Sequence, residues 1–412
     1  MSQNYYSLWY NGLSDDPVAG QGLKVGDPRR DARTWFKDYA YTKYPTRAQL
    51  QDGDPELVLA GWRPAAPFID RDTRVLAFGS CFAGHFAEWL ANNGYNQEFT
   101  ASCRALLRNP FENTAVIAQL FRWAFGEVDP SSLLWVDKHK QQLLATEERR
   151  LAVRQMLLDA DVFITTLAMA ETWYDKASGE TLWRVLPQDL YDPEHHSNKV
   201  LSFSENIQAL EAIDRIRRQW LPKLRIIFTV SPLPIVSTFR PISAVTANSA
   251  SKAIIRGALD EFLRSRSEEL NSTYFYFPSF ELVTTMFNNQ VFQRDGHHLF
   301  PHAIDAVIRA FASLYTTEHF GSPLRERPEW QEVVRDAAAD VMLQRDNDIL
   351  EQENHELRSN CAELQRACNT QFSRVRRLKR RLIFSRLEAG LRRWRKSLVR
   401  RVFAARSTGV TH

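Results

Sequence analysis

A short apolar run, Val75-Leu76-Ala77-Phe78, ends in Gly79-Ser80-Cys81 and passes at once into a helical pattern. Phe82, Phe86, Trp89 and Leu90 fall at i, i+4, i+7 and i+8, the spacing of one helix face. Such a chain makes a strand, a tight turn on glycine, and a helix. In open α/β folds these turns lie at the carboxyl ends of the strands, where ligands bind. The helix start adds free backbone N–H groups and the positive end of a dipole. A hydroxyl, Ser80, and a thiol, Cys81, stand side by side there. A positive potential at that point favours a thiolate or an oxyanion. Strand-turn-helix is also ordinary punctuation of α/β folds, so the turn needs partners before it is a site.

The chain downstream repeats the alternation. Apolar runs predict strands over 75–78, 161–167, 224–230 and 274–277. Helical spacing predicts helices over 83–93, 114–125, 147–158, 204–220, 249–270 and 303–315, with a further short unit around 103–110. Residues 175–203 read as a polar loop holding His195 and His196. Strands alternating with helices predict a parallel sheet covered on both faces, over residues 71–325. Right-handed crossovers put the strand ends at 79–81, 167–171 and 230–232 on one rim. Residues 1–70, rich in Tyr, Trp, Asp, Pro and Gly, read as an irregular extension packed on that domain.

Cysteine usage bounds the compartment. Cys81, Cys103, Cys361 and Cys368 form no CxxC pair and no zinc spacing. No metal site and no cofactor are expected. The opening residues lack a basic-then-apolar leader, and no apolar run reaches the ~18 residues of a membrane span. The expectation is a reduced, cytoplasmic protein, peripheral at the inner face of the membrane if its tail binds lipid.

The last part changes character. From Asp336 the chain is helix-forming and has no proline to its end. Leu343, Leu350, Leu357 and Leu364 recur every seven residues, with Asn347, Asn354, Cys361, Cys368, Val375 and Leu382 at the matching a positions. Leu at d with Asn at a is the pattern of a parallel two-stranded coiled coil. A coiled coil over 336–383 and a homodimer through it are expected. Gln371 interrupts the d row and Leu378 resumes it. From Arg374 to His412 there are 14 Lys or Arg against one acid, Glu388, so the preceding residues are mildly acidic in a chain of net charge +4. Within the basic amphipathic tail, 384–412, Leu387, Leu391, Trp394, Leu398 and Val402 recur three or four residues apart. Such a helix suits an anionic membrane surface. The same charges would neutralise phosphates, but no nucleic-acid-binding fold accompanies them, so nucleic acid is not the expected partner.

Asp295-Gly296-His297-His298 is the second chemical feature. An Asp three residues before a His can orient the imidazole as a general base and later a general acid. That assigns Asp295 and His298 to the chemistry, with His297 as the competing base.

At this point the sequence resembles a known family. Phe78-Gly79-Ser80-Cys81-Phe82-Ala83 contains the string that names the GSCFA family, which is grouped with the SGNH/GDSL hydrolase-like folds. Thr166-Leu167-Ala168-Met169-Ala170-Glu171-Thr172-Trp173 is similar to its Thr-Leu-Gly-x-x-Glu-x-Trp block. Phe228-Thr229-Val230-Ser231-Pro232, Ser251-Lys252 at a helix start, Tyr276-Phe277-Pro278-Ser279-Phe280-Glu281, and Asp295 with His298 follow in family order, over roughly 75–312. The resemblance implies a three-layer α/β/α, flavodoxin-like domain with a parallel sheet. It also implies ester hydrolysis or acyl transfer, with a carbohydrate acyl ester, as in bacterial surface polysaccharide, as substrate.

In the superfamily's Gly-Asp-Ser register, Gly79 matches Gly, Ser80 matches Asp and Cys81 matches the nucleophile; sliding by one makes it Ser80. Cys81 is preferred on geometry, and a Cys paired with His is chemically sound because a thiolate is the better nucleophile. The backbone N–H of Cys81 and the side chain of Asn109 are the oxyanion candidates. Ala168 stands where family members often carry Gly. Glu171 is a candidate to bind a sugar hydroxyl or hold Lys252, and Ser231, Asn248, Ser251 and Lys252 are candidates for the same rim. The other reading is a non-catalytic glycan- or partner-binding module, dimerised by its coiled coil and placed at a membrane by its tail.

Overall fold

The computed structural model describes residues 44–46, 49–50, 54–95, 99, 106, 112–128, 145–183, 186–286, 291–321 and 329–407, without the side chains of 81, 329–342, 344, 345, 348 and 402–407. The chain divides into two compact units, Met1–Val341 and Met342–His412.

In the first unit the strands are β1 (Val75–Gly79), β2 (Val162–Leu167), β3 (Glu171–Asp175), β4 (His196–Val200), β5 (Arg225–Val230) and β6 (Tyr274–Tyr276). The helices that cover them are α1 (Cys81–Asn92), α2 (Thr114–Ala124), α3 (Glu147–Asp159), α4 (Phe203–Trp220), α5 (Ala244–Ser265) and α6 (Pro301–Tyr315). Four strands form one sheet in the order β1-β2-β5-β6, every pair parallel. β2, Val-Phe-Ile-Thr-Thr-Leu, is buried at every position, as a central strand covered on both faces must be.

Side-chain alternation along the strands makes two cores. Leu76, Phe78, Phe163, Ile226 and Phe228 face a cluster completed by α2, α3, α4 and α5. Val75, Val162, Ile164, Ile227 and Phe275 face the other, completed by α1 and α6. Burying a large apolar side chain is worth about 1.5–3 kcal/mol. Phe82 and Phe86, both fully buried, thereby hold α1 against the sheet. The expected α/β domain with a parallel sheet between helices is what the chain forms.

Three elements differ from the sequence reading. The stretch 175–203 is not all loop: β4 lies within it and pairs antiparallel with β3, Asp175 opposite His196. Its sequence, His-Ser-Asn-Lys-Val, has no apolar alternation, so pairing with β3 makes the strand. α5 begins at Ala244, where Ser243 caps it by accepting the Val245 N–H. Ser251-Lys252 therefore lie inside that helix and not at its start. α1 begins at Cys81 because Ser80 is its cap.

Of the expected N-terminal extension, 54–70 is described without a break and packs on the domain. Leu59 and Ile69 join the core, Trp62 meets the Tyr276 ring edge-on, and Phe68 packs on Phe275. The segment around 103–110, Asn109 included, lies outside the described residues except for Leu106.

From Met342 the second unit is formed by α7 (Glu329–Ser407), a single helix. Leu343, Leu350, Leu357 and Leu364 are exposed along it, as are the free thiols Cys361 and Cys368. Among the described residues no helix is long and apolar enough to cross a membrane.

Candidate active site

Gly79 ends β1 opposite Thr166 of β2. Its φ is +135°, and a Cβ built there would lie 2.2 Å from the Thr166 carbonyl oxygen. Only glycine lets the two strands approach this closely at the turn. The next residue continues the register, with the Ser80 N–H donating to the Thr166 carbonyl at 3.0 Å.

The Ser80 hydroxyl is engaged as both donor and acceptor. It donates to Ser231 Oγ at 2.9 Å and accepts the Phe82 N–H at 3.3 Å as the cap of α1. Ser231 leaves β5 with its own N–H on the Leu167 carbonyl, and its Oγ also accepts the Leu233 N–H. Both serines are buried. This pair ties the exits of β1 and β5 together across β2. Replacing Ser231 with Ala leaves the Ser80 hydroxyl and the Leu233 N–H without their acceptor. An orphaned buried donor costs about 1–3 kcal/mol. Ser231→Ala should therefore lower the urea midpoint by a corresponding amount at unchanged m-value; an unchanged midpoint would show that the pair is not formed.

Cys81 is the first residue of α1, and the first N–H of a helix has no intrahelical acceptor. Its side chain lies outside the described residues, as does Asn109.

The histidine loop follows β6. Gln293 N–H donates to the His298 carbonyl and Phe300 N–H to the Val291 carbonyl, closing a tight loop that turns on Gly296. Asp295 organises it. Its Oδ1 accepts the N–H groups of His297 and His298, both at 2.9 Å, and its Oδ2 lies 2.5 Å from His298 Nδ1. The His298 ring, followed by the two backbone donors, holds the Asp295 carboxyl well below the usual carboxylate range. An ionised carboxylate only accepts, so Nδ1 carries a proton; in the neutral ring Nε2 then keeps its lone pair. The His298 side chain is 54% exposed.

The His297 ring lies edge-on to that of His298, with centroids 4.7 Å apart. The Pro234 backbone, just past Ser231, and the charge of Lys252 both act on it. Leu233, just past Ser231, shares an apolar cluster with Val291, Leu299 and Phe300, so the histidine loop packs near the exit of β5, to which Ser80 is tied. Burial first, then the neighbouring His298, pushes the His297 pKa down from its ordinary value. Its Nδ1 is buried without a hydrogen-bond partner. For a group whose folded pKa is depressed, the unfolded chain binds the proton more readily. Stability is thus full above about pH 6.5, the free-histidine value, and falls as pH drops through it. Denaturation midpoints at neutral pH and at about pH 5.5 should show this slope in the parent and a shallower one in His297→Gln. Equal slopes would remove His297 as the source.

Lys252 is almost fully buried on α5. Its neighbour Ser251 accepts the Ala170 N–H at 2.5 Å. Glu171 is turned to a structural task. Its two oxygens accept the Thr238 hydroxyl at 2.6 Å and the Phe239 N–H at 3.0 Å, pinning the loop between β5 and α5. Asn248 Oδ1 holds the same loop through the Ile235 N–H. The Ala168 N–H donates to the Glu112 carbonyl at 2.7 Å and is not available to an oxyanion. Among the described residues no group of three or more His, Cys, Asp or Glu could hold a metal ion.

Two features of the rim escaped the sequence reading. One is the Ser80–Ser231 bond itself, since nothing in the sequence pairs two serines so far apart. The other is the state of Thr166, fully buried beside Gly79 with its hydroxyl unpartnered; the sequence offered only its place in the Thr-Leu block, not its burial or its lack of a partner.

A parallel α/β domain with a Gly-Ser-Cys turn after its first strand, and an Asp-x-x-His loop against the exit of another, is the class defined so far. A model of the GSCFA family matches residues 74–311. The chain belongs to the GSCFA family. No curated protein and no solved structure matches it.

Proposed function

We propose that this protein is an SGNH-like esterase or O-acyltransferase acting on a carbohydrate acyl ester, with Cys81 as nucleophile, His298 as general base and acid, and Asp295 as its orienting carboxylate. The observation that carries the reading is the engagement of Ser80. Its only proton goes to Ser231 and its oxygen caps α1. That leaves the next residue, at the helix start, as the reacting group.

In this mechanism His298 Nε2 takes the thiol proton and the thiolate attacks the acyl carbon. The tetrahedral oxyanion is stabilised by the Cys81 N–H and the positive end of α1. Collapse expels the alkoxide, which receives the proton back from His298. A thioester remains on Cys81. Water or a sugar hydroxyl, deprotonated by His298, attacks it and the thiolate leaves to regain its proton.

Mass spectrometry of the intact protein after exposure to an activated acyl ester tests the proposal. One added acyl group, mapped to Cys81 and discharged on standing, is the expected result. Labelling elsewhere, or none, would sink it. The exposure of His298 favours a second reading, a glycan-binding module with no turnover, and absence of any label would leave that reading standing.

A further inference from the structure

The second unit offers a surface that the proposed chemistry does not use. Ile383, Phe384, Leu387, Leu391, Trp394 and Leu398 are all 45–68% exposed on α7. At about 100° per residue they fall within an arc of about 100°, the stripe of an amphipathic helix. No charged side chain between 383 and 400 falls in that arc. The rest of the circumference carries Arg386, Arg392, Arg393, Arg395, Lys396 and Arg400 against the single acid Glu388. Gly390 opens a shallow apolar groove between Leu387, Leu391 and Trp394.

We infer that this segment docks on an anionic lipid bilayer, lying in the plane of the surface with its stripe in the acyl boundary. Charge complementarity selects that occupant. The arginines flank the stripe, where their stems lie along apolar surface while the guanidinium groups reach lipid phosphates. Trp394 sits on the stripe, and indole rings favour the headgroup level. A second copy of the helix fits less well. Continuing the heptad of Leu343, Leu350, Leu357 and Leu364 puts Ser385 and Arg392 at d and Ala389 and Lys396 at a, so the leucine seam ends before this segment. A copy would also set two strongly basic segments side by side. Nucleic acid would use the cations but not a continuous stripe of six large apolar side chains.

The test uses the full chain with vesicles of phosphatidylcholine, alone and mixed with phosphatidylglycerol. Sedimentation should show binding to the mixed vesicles at least about tenfold tighter than to the neutral ones. The double variant Leu391→Glu/Leu398→Glu, checked for helicity by circular dichroism, should lose at least about tenfold in that binding. Independently, brominated phosphatidylglycerol should quench tryptophan fluorescence of the parent, and less so in Trp394→Phe. Failure of the parent to bind, equal binding by the double variant, or equal quenching in Trp394→Phe each overturns the inference. Tighter binding of duplex DNA than of mixed vesicles, unchanged in the double variant, would assign the segment to nucleic acid instead.

Discussion

Cys81→Ala is expected to abolish acyl-enzyme formation and to lower turnover of an activated acyl ester by about three orders of magnitude or more, with the folded structure intact. Alanine keeps the helix start, and the Ser80 cap, the Ser231 bond and the buried face of α1 do not depend on the thiol. His298→Ala should cost as much, because residues that act as one unit lose nearly everything when any member is removed. Ser80→Ala is the informative control. It removes a helix cap, worth about 1 kcal/mol, and the bond to Ser231. It should weaken activity in proportion to lost positioning, and acyl labelling should persist. Full activity in Cys81→Ala together with a dead Ser80→Ala would place the nucleophile one residue earlier.

Gly79→Ala should be the most damaging single methyl group in the domain. The added carbon meets backbone atoms on both sides of the Thr166 peptide, at 2.2 Å from the oxygen and 2.6 Å from the nitrogen. Backbone of a central strand cannot swing aside as a flexible side chain can. The φ of +135° adds strain for any L side chain. Relief requires β1 and β2 to part where Ser80 and Ser231 depend on their register. The expected loss exceeds about 4 kcal/mol, enough to leave a marginal domain largely unfolded. Urea denaturation, or the yield of soluble protein, reads it directly. Parent-like stability would mean that the two strands do not approach as described.

Much of the first unit was legible in the residues. Continuous apolar runs marked the buried strands, because a strand covered on both faces has no polar side. Period-3.6 stripes marked α1, α2, α4 and α6. β4 was not legible, because a polar strand is made by its partner and carries no pattern of its own. The start of α5 was missed for a related reason. Its first turns are small and polar, and their place in a helix is decided by the Ser243 cap and by Asn248 holding the preceding loop.

At the rim the division is similar. Residue type and order pointed to Gly79-Ser80-Cys81 and to Asp295 with His298. The local bond from Asp295 to His298 follows from three-residue spacing in a tight loop. The destination of the Ser80 hydroxyl does not, since Ser231 arrives from a strand two places across the sheet. Glu171 shows the same limit. Its charge suggested a ligand contact, and the fold gives both of its oxygens to Thr238 and Phe239.

By itself, then, the sequence determined the layered α/β architecture, the glycine turn, the Asp-x-x-His loop and the amphipathic basic helix. These are written in periodicity, in short-range spacing and in the one residue type that tolerates a close approach. Only the tertiary structure decided which neighbouring group is already engaged. Hydrogen bonds across the sheet join residues distant along the chain, and a hydroxyl or carboxylate carries no mark of the partner it will meet.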